Sequence, residues 1–305
     1  MPFKYLLLLS IALTTLSCGI NDEQNTANEY NSHGHGETTK QYHWEKAKIP
    51  TSKEPKVYGG YTNGCIDGAL RLPEFGTGYI AANAANNRLY GHPDLIQVIE
   101  DLAKQMNDKY NATLLIGDLS QARGGPAPLD TSAHRSHQNG LDVDIWYRNL
   151  SKEKIEEDDI YPHTVLSLFK NKLNNKYWGD SQIKMLEYAA KNDDVERILV
   201  NPVVKKAMCE KFGSEPWIHK LRPWWGHDKH FHLRLKCPKN DSTCNKQDPV
   251  PEENSCAEPL EWWFSTEAQN MAKSNKSTKR QYPNLPEQCE KVWVWKPIGT
   301  IKLQP

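Results

Sequence analysis

Apolar residues recur at helical spacing in one stretch of the first half of the chain. This stretch follows Pro93-Asp94 and contains Leu95, Val98, Ile99, Leu102 and Met106. Steps of three and four residues place these side chains on one face, so the pattern predicts a helix with a buried side. The short apolar run 113–116 that follows, ending at Gly117-Asp118, predicts a buried strand.

Two later stretches alternate polar and apolar residues, as a half-buried strand does. In the stretch 142–146, alternation places Asp142 and Asp144 on one face and the apolar Val143 and Ile145 on the other. In the stretch 230–235, the polar face carries His230, His232 and Arg234, and the other face carries Phe231, Leu233 and Leu235. Each stretch therefore predicts a strand whose polar face is available for chemistry.

The remaining pattern predicts an α+β fold with a small central antiparallel sheet, flanked by helices and by loops. Helices are expected at 182–191 and 202–212, the second with Pro202 in its first turn. A strand is expected at 195–200, and small ordered islands at 261–265 and 292–295. The regular strand–helix alternation and the long apolar runs of a parallel sheet are missing, which favours α+β.

The N-terminal part of the chain has a different composition. Residues 1–18 predict a lipoprotein-type signal, because Lys4 precedes a dozen apolar residues and Cys18 follows a small residue. Residues 19–56 are polar and predict a disordered tether. Residues 57–305 predict one domain with a loop-rich C-terminal part. Contact with a membrane is expected only through a lipid on Cys18.

Charge and cysteine content narrow the class of protein. The 38 basic residues balance 38 acidic ones, so nothing in the composition calls for nucleic acid. Apart from Cys18 there are six cysteines, an even number that fits three disulfides in an exported protein. Six cysteines allow 15 pairings. Spacing alone leaves the pairing open, although Cys237 and Cys244 would close a local loop.

Histidines crowd two windows, one beside Asp144 and one at 227–232. A catalytic zinc takes three His or carboxylate ligands and keeps a fourth position open. His137, Asp144 and His232 predict such a set, brought together if the two polar strand faces pair. Asp142 is either an alternative ligand or a carboxylate that orients a ligand. His134 and His227 either belong to the site or are structural histidines near it.

The residues around these ligands resemble a known family. The stretches 136–146 (SHQNGLDVDIW) and 222–234 (RPWWGHDKHFHLR) look like penicillin-insensitive murein endopeptidases, within the LAS zinc peptidases that share His-x6-Asp and His-x-His signatures. The stretches 117–125 and 200–202 and the pair Cys237-Pro238 match as well. The resemblance covers roughly residues 61–289.

The resemblance implies a zinc metallopeptidase of the periplasm, anchored to the outer membrane if Cys18 is lipidated. It would hydrolyse D-alanyl to meso-diaminopimelate cross-links of peptidoglycan by metal-activated water. Alternatives are a D,D- or L,D-carboxypeptidase of the same group, or a non-catalytic zinc-containing lipoprotein that binds the cell wall. His230 is the expected catalytic acid and base, with His227 sharing proton transfer or stabilising the oxyanion.

The resemblance also implies contacts and pairings. Ser120, Gln121 and Arg123 are expected to bind substrate carboxylates, with an ion pair to a protein carboxylate as the alternative for Arg123. The implied disulfides are Cys65 with Cys289, Cys209 with Cys256, and Cys237 with Cys244. The family's best-known member has a second metal that uses the residue matching His134 and an additional Asp and His. Asn174 and Tyr177 stand in their places here, so one zinc is expected.

Overall fold

Sheet strands and helices alternate irregularly along the described part of the chain. The computed structural model describes residues 43–129, 135–151, 160–253, 255–274 and 281–296, all within a unit spanning Gln41–Pro305. The signal segment, Cys18 and His134 lie outside the described residues, so the predictions made for them are not addressed by the structure. None of the described helices combines the length and apolar character needed to cross a bilayer.

The described residues form six α-helices: α1 Pro93–Tyr110, α2 Asp180–Lys191, α3 Pro202–Phe212, α4 Glu258–Trp262, α5 Thr266–Ser274 and α6 Gln288–Val294. The same part of the chain contains eleven strands: β1 Lys56–Gly60, β2 Asn63–Asp67, β3 Leu70–Arg71, β4 Phe75–Gly76, β5 Tyr79–Ala81, β6 Tyr90–Gly91, β7 Ala112–Ile116, β8 Asp142–Ser151, β9 Val195–Val200, β10 Leu221–Pro223 and β11 His230–Leu235. The helices and strands expected from the periodicity are all present, with ends that shift by a few residues. The two C-terminal islands fall within or beside α4, α5 and α6.

A seven-stranded sheet organises the fold, in the order β10-β9-β11-β8-β7-β5-β4. The α+β class is confirmed, but the sheet is larger than expected and mixed. β10 with β9 and β5 with β7 are parallel, whereas β11 is antiparallel to both β9 and β8. The two strands predicted to carry chemistry, β8 and β11, are therefore central antiparallel neighbours.

The main core lies between this sheet and the helices α1 and α2. Alternation in β8 and β11 sends Val143, Ile145, Phe231 and Leu233 into that core, and the predicted apolar face of α1 is buried against it. The opposite face of β8 and β11 carries the aspartates and histidines. The apolar periodicity thus fixes which face of the central strands is polar.

Some residues of the segment 43–56, which the sequence assigned to the tether, contact the folded domain. Trp44 is 1% exposed and lies in a small cluster with Cys65 and Cys289. The Thr51 hydroxyl donates to Asp67 Oδ1 at 2.8 Å. One large aromatic side chain and a buried hydrogen bond anchor a segment whose average composition is polar.

Three disulfides fasten the C-terminal part: Cys65–Cys289, Cys209–Cys256 and Cys237–Cys244. This is the pairing implied by the family resemblance. The first bridge joins β2 to α6, and the second joins α3 to the segment before α4. The loop-rich C-terminal part is thereby fixed to the β1–β2 hairpin and to α3.

Candidate metal centre

The register of β8 and β11 places an aspartate of one strand opposite a histidine of the other. His232 pairs with Asp144, and Arg234 pairs with Asp142. Directly opposed residues on one face of an antiparallel pair lie close enough for their side chains to touch. The expected meeting of the two polar faces is confirmed.

His137 reaches the same place from the loop before β8. Its backbone is left-handed, with φ of 66°, and its N–H donates to Asp142 Oδ2 at 2.9 Å. Gly140, with φ of 77°, completes the loop, and a Cβ there would lie 2.6 Å from Ile66 Cδ1. A left-handed histidine held by a buried carboxylate is a strained conformation of the kind that functional sites maintain.

His137, Asp144 and His232 form the candidate metal site. One ligand-type atom from each lies within 4.8 Å of the others, and all three residues are buried. Asp144 Oδ1 is 3.3 Å from His137 Nε2 and 3.2 Å from His232 Nδ1. Atoms bound to zinc at about 2.0–2.1 Å in a tetrahedron lie about 3.3 Å apart. The donor types and the spacing around Asp144 therefore fit a zinc ion.

Asp142 lies behind His232 and holds it in place. His232 Nε2 donates to Asp142 Oδ1 at 3.0 Å, so Nδ1 is the ring nitrogen turned toward Asp144. The Arg234 guanidinium donates to the same carboxylate through Nε at 2.7 Å and Nη2 at 3.2 Å. In this geometry the Asp142 carboxylate contacts the ring nitrogen of His232 that points away from Asp144, as a carboxylate that orients a ligand does.

Burial and charge set the protonation of these groups. Burial acts to raise the pKa of Asp142, but Arg234 and His232 outweigh it and hold that pKa well below its usual range. Burial acts to lower the pKa of His232, but Asp142 and Asp144 raise it to about 9. Burial lowers the pKa of His137 to about 4, against the opposing charge of Asp144.

His230 and His227 lie at the rim of the cluster. His230 Nε2 is 3.6 Å from Asp144 Oδ1, and its side chain is 20% exposed. The rings of His227 and His230 are 5.2 Å apart, and those of His227 and His232 are 6.2 Å apart. Burial, reinforced by His230 and His232, lowers the pKa of His227 to about 3. His227 is therefore neutral at pH 7.

Ser120, Gln121 and Arg123, the residues expected to bind substrate carboxylates, make hydrogen bonds within the protein in this structure. All three are buried. The Ser120 hydroxyl donates to the Tyr90 carbonyl, and the Gln121 amide donates to carbonyls of residues 124–126. The Arg123 guanidinium donates to four backbone carbonyls, of Ile49, Val292, Trp293 and Trp295. Burial lowers the pKa of Arg123, and the nearby Asp67 carboxylate acts against that shift. A carboxylate neighbour is therefore present, although the hydrogen bonds of Arg123 go to main-chain oxygens.

No further group of three metal-binding side chains is found among the described residues. Asn174, in one of the positions expected for the second metal, accepts from the Lys176 N–H at 3.0 Å. The Tyr177 ring, in the other, packs against His163 with ring centres 4.6 Å apart. These two side chains serve the local loop structure.

Sequence reasoning placed Arg234 on the polar face of β11 without giving it a role, and it missed Tyr61. Arg234 also donates to Gln247 at 2.8 Å, and its guanidinium lies 4.1 Å from the centre of the Tyr61 ring. The Tyr61 hydroxyl donates to the Leu235 carbonyl at 2.8 Å. An arginine two residues after a candidate ligand, on the same strand face, was the available signal for Arg234. Tyr61 lies far from Arg234 in the sequence, and no sequence pattern indicated that the two residues would be in contact.

The chain is similar to one protein family over most of its length. The family model described as penicillin-insensitive murein endopeptidase matches residues 57–294. A protein of that name from Yersinia pestis bv. Antiqua (strain Antiqua) is 36% identical over 251 residues, covering 81% of this chain and 88% of that protein. One from Haemophilus influenzae is 38% identical over 227 residues, covering 72% and 78%. The chain therefore belongs to the penicillin-insensitive murein endopeptidase family.

Proposed function

We propose that this protein is a zinc-dependent endopeptidase that hydrolyses D-alanyl to meso-diaminopimelate cross-links of peptidoglycan. The observation that carries the zinc proposal is the buried set of His137, Asp144 and His232, whose atoms have the types and spacing of a zinc site. Peptidoglycan as substrate is supported by family membership. The cross-link type rests on the resemblance of the motifs around the ligands.

The chain's own residues divide the work of the site. His137, Asp144 and His232 would hold the metal, and Asp142 presents Nδ1 of His232 by binding Nε2. When bound, zinc supplies a Lewis acid that polarises a carbonyl group and acidifies water. Arg234 keeps Asp142 ionised, so the orienting hydrogen bond persists at acidic pH.

His230 is the residue that we assign to proton transfer. It lies on the strand face of His232, close to Asp144, and its partial exposure lets its ring exchange protons with solvent. His227 donates its Nδ1 proton to the Trp225 carbonyl at 2.9 Å. That hydrogen bond leaves Nε2 of the neutral ring in its acceptor form. Of the two roles considered for His227, sharing proton transfer therefore fits better than donating to an oxyanion.

Replacing His230 by Ala tests this assignment. The variant is expected to retain bound metal, because His230 is not among the three proposed ligands, while kcat falls by about 10² or more. Steady-state kinetics together with metal analysis measures both. His43→Ala, which changes an exposed histidine paired with Glu45, is the matched control. Undiminished kcat in His230→Ala would remove this residue from the mechanism.

Purified cross-linked muropeptide dimers distinguish the proposed function from its alternatives. The protein is incubated with dimers alone, with a zinc chelator, and with chelator followed by added zinc, and the products are identified by mass. Conversion to monomers that stops with chelator and returns with zinc is expected. Loss of only a terminal D-alanine would indicate a carboxypeptidase, and intact dimers with stoichiometric zinc would indicate a binding protein.

We also propose that the protein is exported and lipidated at Cys18. Three disulfides are typical of an oxidising compartment, which supports a periplasmic location. Mass analysis of the N-terminal peptide from the membrane fraction tests the lipid. A mature N-terminus other than a lipid-modified Cys18 would overturn the anchor but not the activity.

A further inference from the structure

Four tryptophans gather on the surface between the end of β10 and helix α4. They are Trp224, Trp225, Trp262 and Trp263, which we call the tryptophan platform. The Trp225 and Trp263 ring centres are 4.8 Å apart, and Trp224 lies 5.5 Å from Trp225 and 6.0 Å from Trp263. Trp262 completes the group at 5.3 Å from Trp263. Such tilted and edge-to-face contacts are the favoured arrangements of aromatic rings.

The platform is exposed although its rings are large and apolar. Trp224 is 42% exposed, and the other three are partly buried. An apolar surface patch of this kind marks a binding site more often than a solitary exposed residue does. The proposed chemistry at the zinc ligands uses none of these rings.

The rings are held in place by the surrounding backbone. The Trp224 N–H donates to the Val200 carbonyl at 2.8 Å, which extends the β10–β9 pairing. The Cys209–Cys256 disulfide fixes the segment that leads into α4. A preformed surface loses little conformational entropy when a ligand binds.

The platform adjoins the candidate metal centre. The Trp225 carbonyl accepts the hydrogen bond from His227 Nδ1, and the His227 ring is 5.2 Å from that of His230. A polymer whose scissile peptide bond reaches the metal would therefore place neighbouring units over the tryptophans.

We propose that the tryptophan platform binds pyranose rings of the glycan strand to which the stem peptides are attached. This rests on the proposed function, since it names a second part of the same substrate. The ring faces of an aromatic side chain carry negative charge density, and a pyranose presents C–H groups of opposite polarity on its face. Stacking of this kind needs no charged partner, which suits an uncharged sugar chain.

The rim of the platform favours sugar over acidic stem peptide. Glu267, in α5, accepts from the Trp262 indole N–H at 3.3 Å. Glu261, in α4 beside Trp262, is exposed and lies 3.6 Å from Lys206. The Glu267 carboxylate can accept hydrogen bonds from sugar hydroxyls and repels the carboxylates of a stem peptide. Glu261 can also accept such hydrogen bonds, while its charge is offset by Lys206. Both the aromatic rings and the acidic rim of the platform therefore suit a sugar ligand.

Binding of peptide-free β1,4-linked N-acetylglucosamine oligomers tests the platform apart from catalysis. Titration followed by tryptophan fluorescence is expected to show binding, with Kd rising on the order of tenfold in Trp224→Ala and recovering in Trp224→Tyr, which keeps a ring. Phe75→Ala is the matched control. Phe75 is 71% exposed and lies in β4, at the opposite edge of the seven-stranded sheet from β10.

A kinetic comparison separates this proposal from the proposed function. Cross-linked dimers are prepared with their disaccharides and, after amidase treatment, as peptide alone. In Trp224→Ala, kcat/KM for the sugar-bearing dimer is expected to fall about tenfold relative to that for the peptide dimer, mainly through KM, while Phe75→Ala keeps the native ratio.

The proposal would be overturned if Trp224→Ala kept the native ratio of kcat/KM values for the two dimers. It would also be overturned if Trp224→Ala bound the oligomer as tightly as the native protein does. A native protein that cleaves neither dimer but binds the oligomer would instead overturn the proposed function and leave the platform standing. Binding of the peptide dimer, but not of the oligomer, at the tryptophans would make the platform a peptide site and would also overturn the proposal.

Discussion

Asp142 connects the candidate ligands to the interior of the protein through one carboxylate. It accepts hydrogen bonds from the His137 backbone, the His232 ring and the Arg234 guanidinium, and it is 0% exposed. Its neighbours are arranged for a negative charge at this position. The ionised form of Asp142 therefore matters both to the stability of the strand pair and to the position of His232.

Asp142→Asn keeps the shape of this residue and removes its charge. Arg234 would then remain buried without its counter-ion, so the free energy of unfolding should fall by about 3–5 kcal/mol. Zinc affinity should fall by about 10–100-fold, because the orienting partner of His232 is weakened. Urea denaturation and metal titration measure the two effects. Asp101→Asn, at an exposed site on α1, should change neither stability nor zinc affinity. If Asp142→Asn also left both unchanged, Asp142 would not be the residue that balances Arg234 and orients His232.

The pKa values of the ligand histidines predict a proton count for metal binding. Without a cation, the pKa of His232 is about 9 and that of His137 about 4. At pH 6, His232 is therefore protonated and His137 is neutral. A metal that takes Nδ1 of His232 displaces its proton, so zinc affinity should rise with pH up to about pH 9.

Calorimetric titration with zinc at pH 6, in two buffers of different ionisation enthalpy, counts the released protons. Close to one proton per zinc is expected for the native protein. Binding without proton release, and with an affinity that does not change between pH 6 and 8, would mean that His232 is not a ligand.

At the scale of elements, alternation predicted the central strands well. The alternation in the stretches 142–146 and 230–235 predicted which side chains lie on the polar face. In the structure these strands pair so that Asp144 lies directly opposite His232. The hairpin of β1 and β2 was missed because its glycines break the apolar alternation. The left-handed turn at His137 was also missed, since its backbone depends on a contact with Asp142 that forms only in the folded protein.

Arg123 shows a further limit of sequence reasoning. The motif around it suggested a substrate contact, but three of its four acceptors are carbonyls at the C-terminal end of α6, about 170 residues later in the chain. Arginine in this position satisfies carbonyl groups that a helix end leaves without intrahelical partners. No local pattern encodes a contact over such a separation.

Arg123→Ala should therefore change stability and not substrate affinity. Loss of the charged donor to α6 is expected to lower the free energy of unfolding by about 2–3 kcal/mol, with KM for muropeptide dimers close to the native value. Arg71→Ala, which removes an exposed arginine paired with Glu74, should cost less than about 1 kcal/mol. A raised KM with native stability would return Arg123 to the substrate site.

At the scale of the whole molecule, segments far apart in sequence are brought together. The Cys65–Cys289 bridge joins residues 224 positions apart, and Trp44 packs beside it. The resemblance supplied this pairing, whereas cysteine spacing alone had left fifteen arrangements open. The same whole-chain packing puts the tryptophan platform beside His227, a neighbourhood that combines β10 with a helix about 35 residues farther along the chain.

The central claim is that His137, Asp144 and His232 hold a zinc ion needed for hydrolysis. Metal content by mass spectrometry, measured with dimer cleavage on the same samples of native protein and Asp144→Asn, tests it most directly. We expect one zinc per chain and cleavage in the native protein, and loss of both in Asp144→Asn with the fold retained by circular dichroism. Cleavage at the native rate by protein shown to contain no metal would contradict the account.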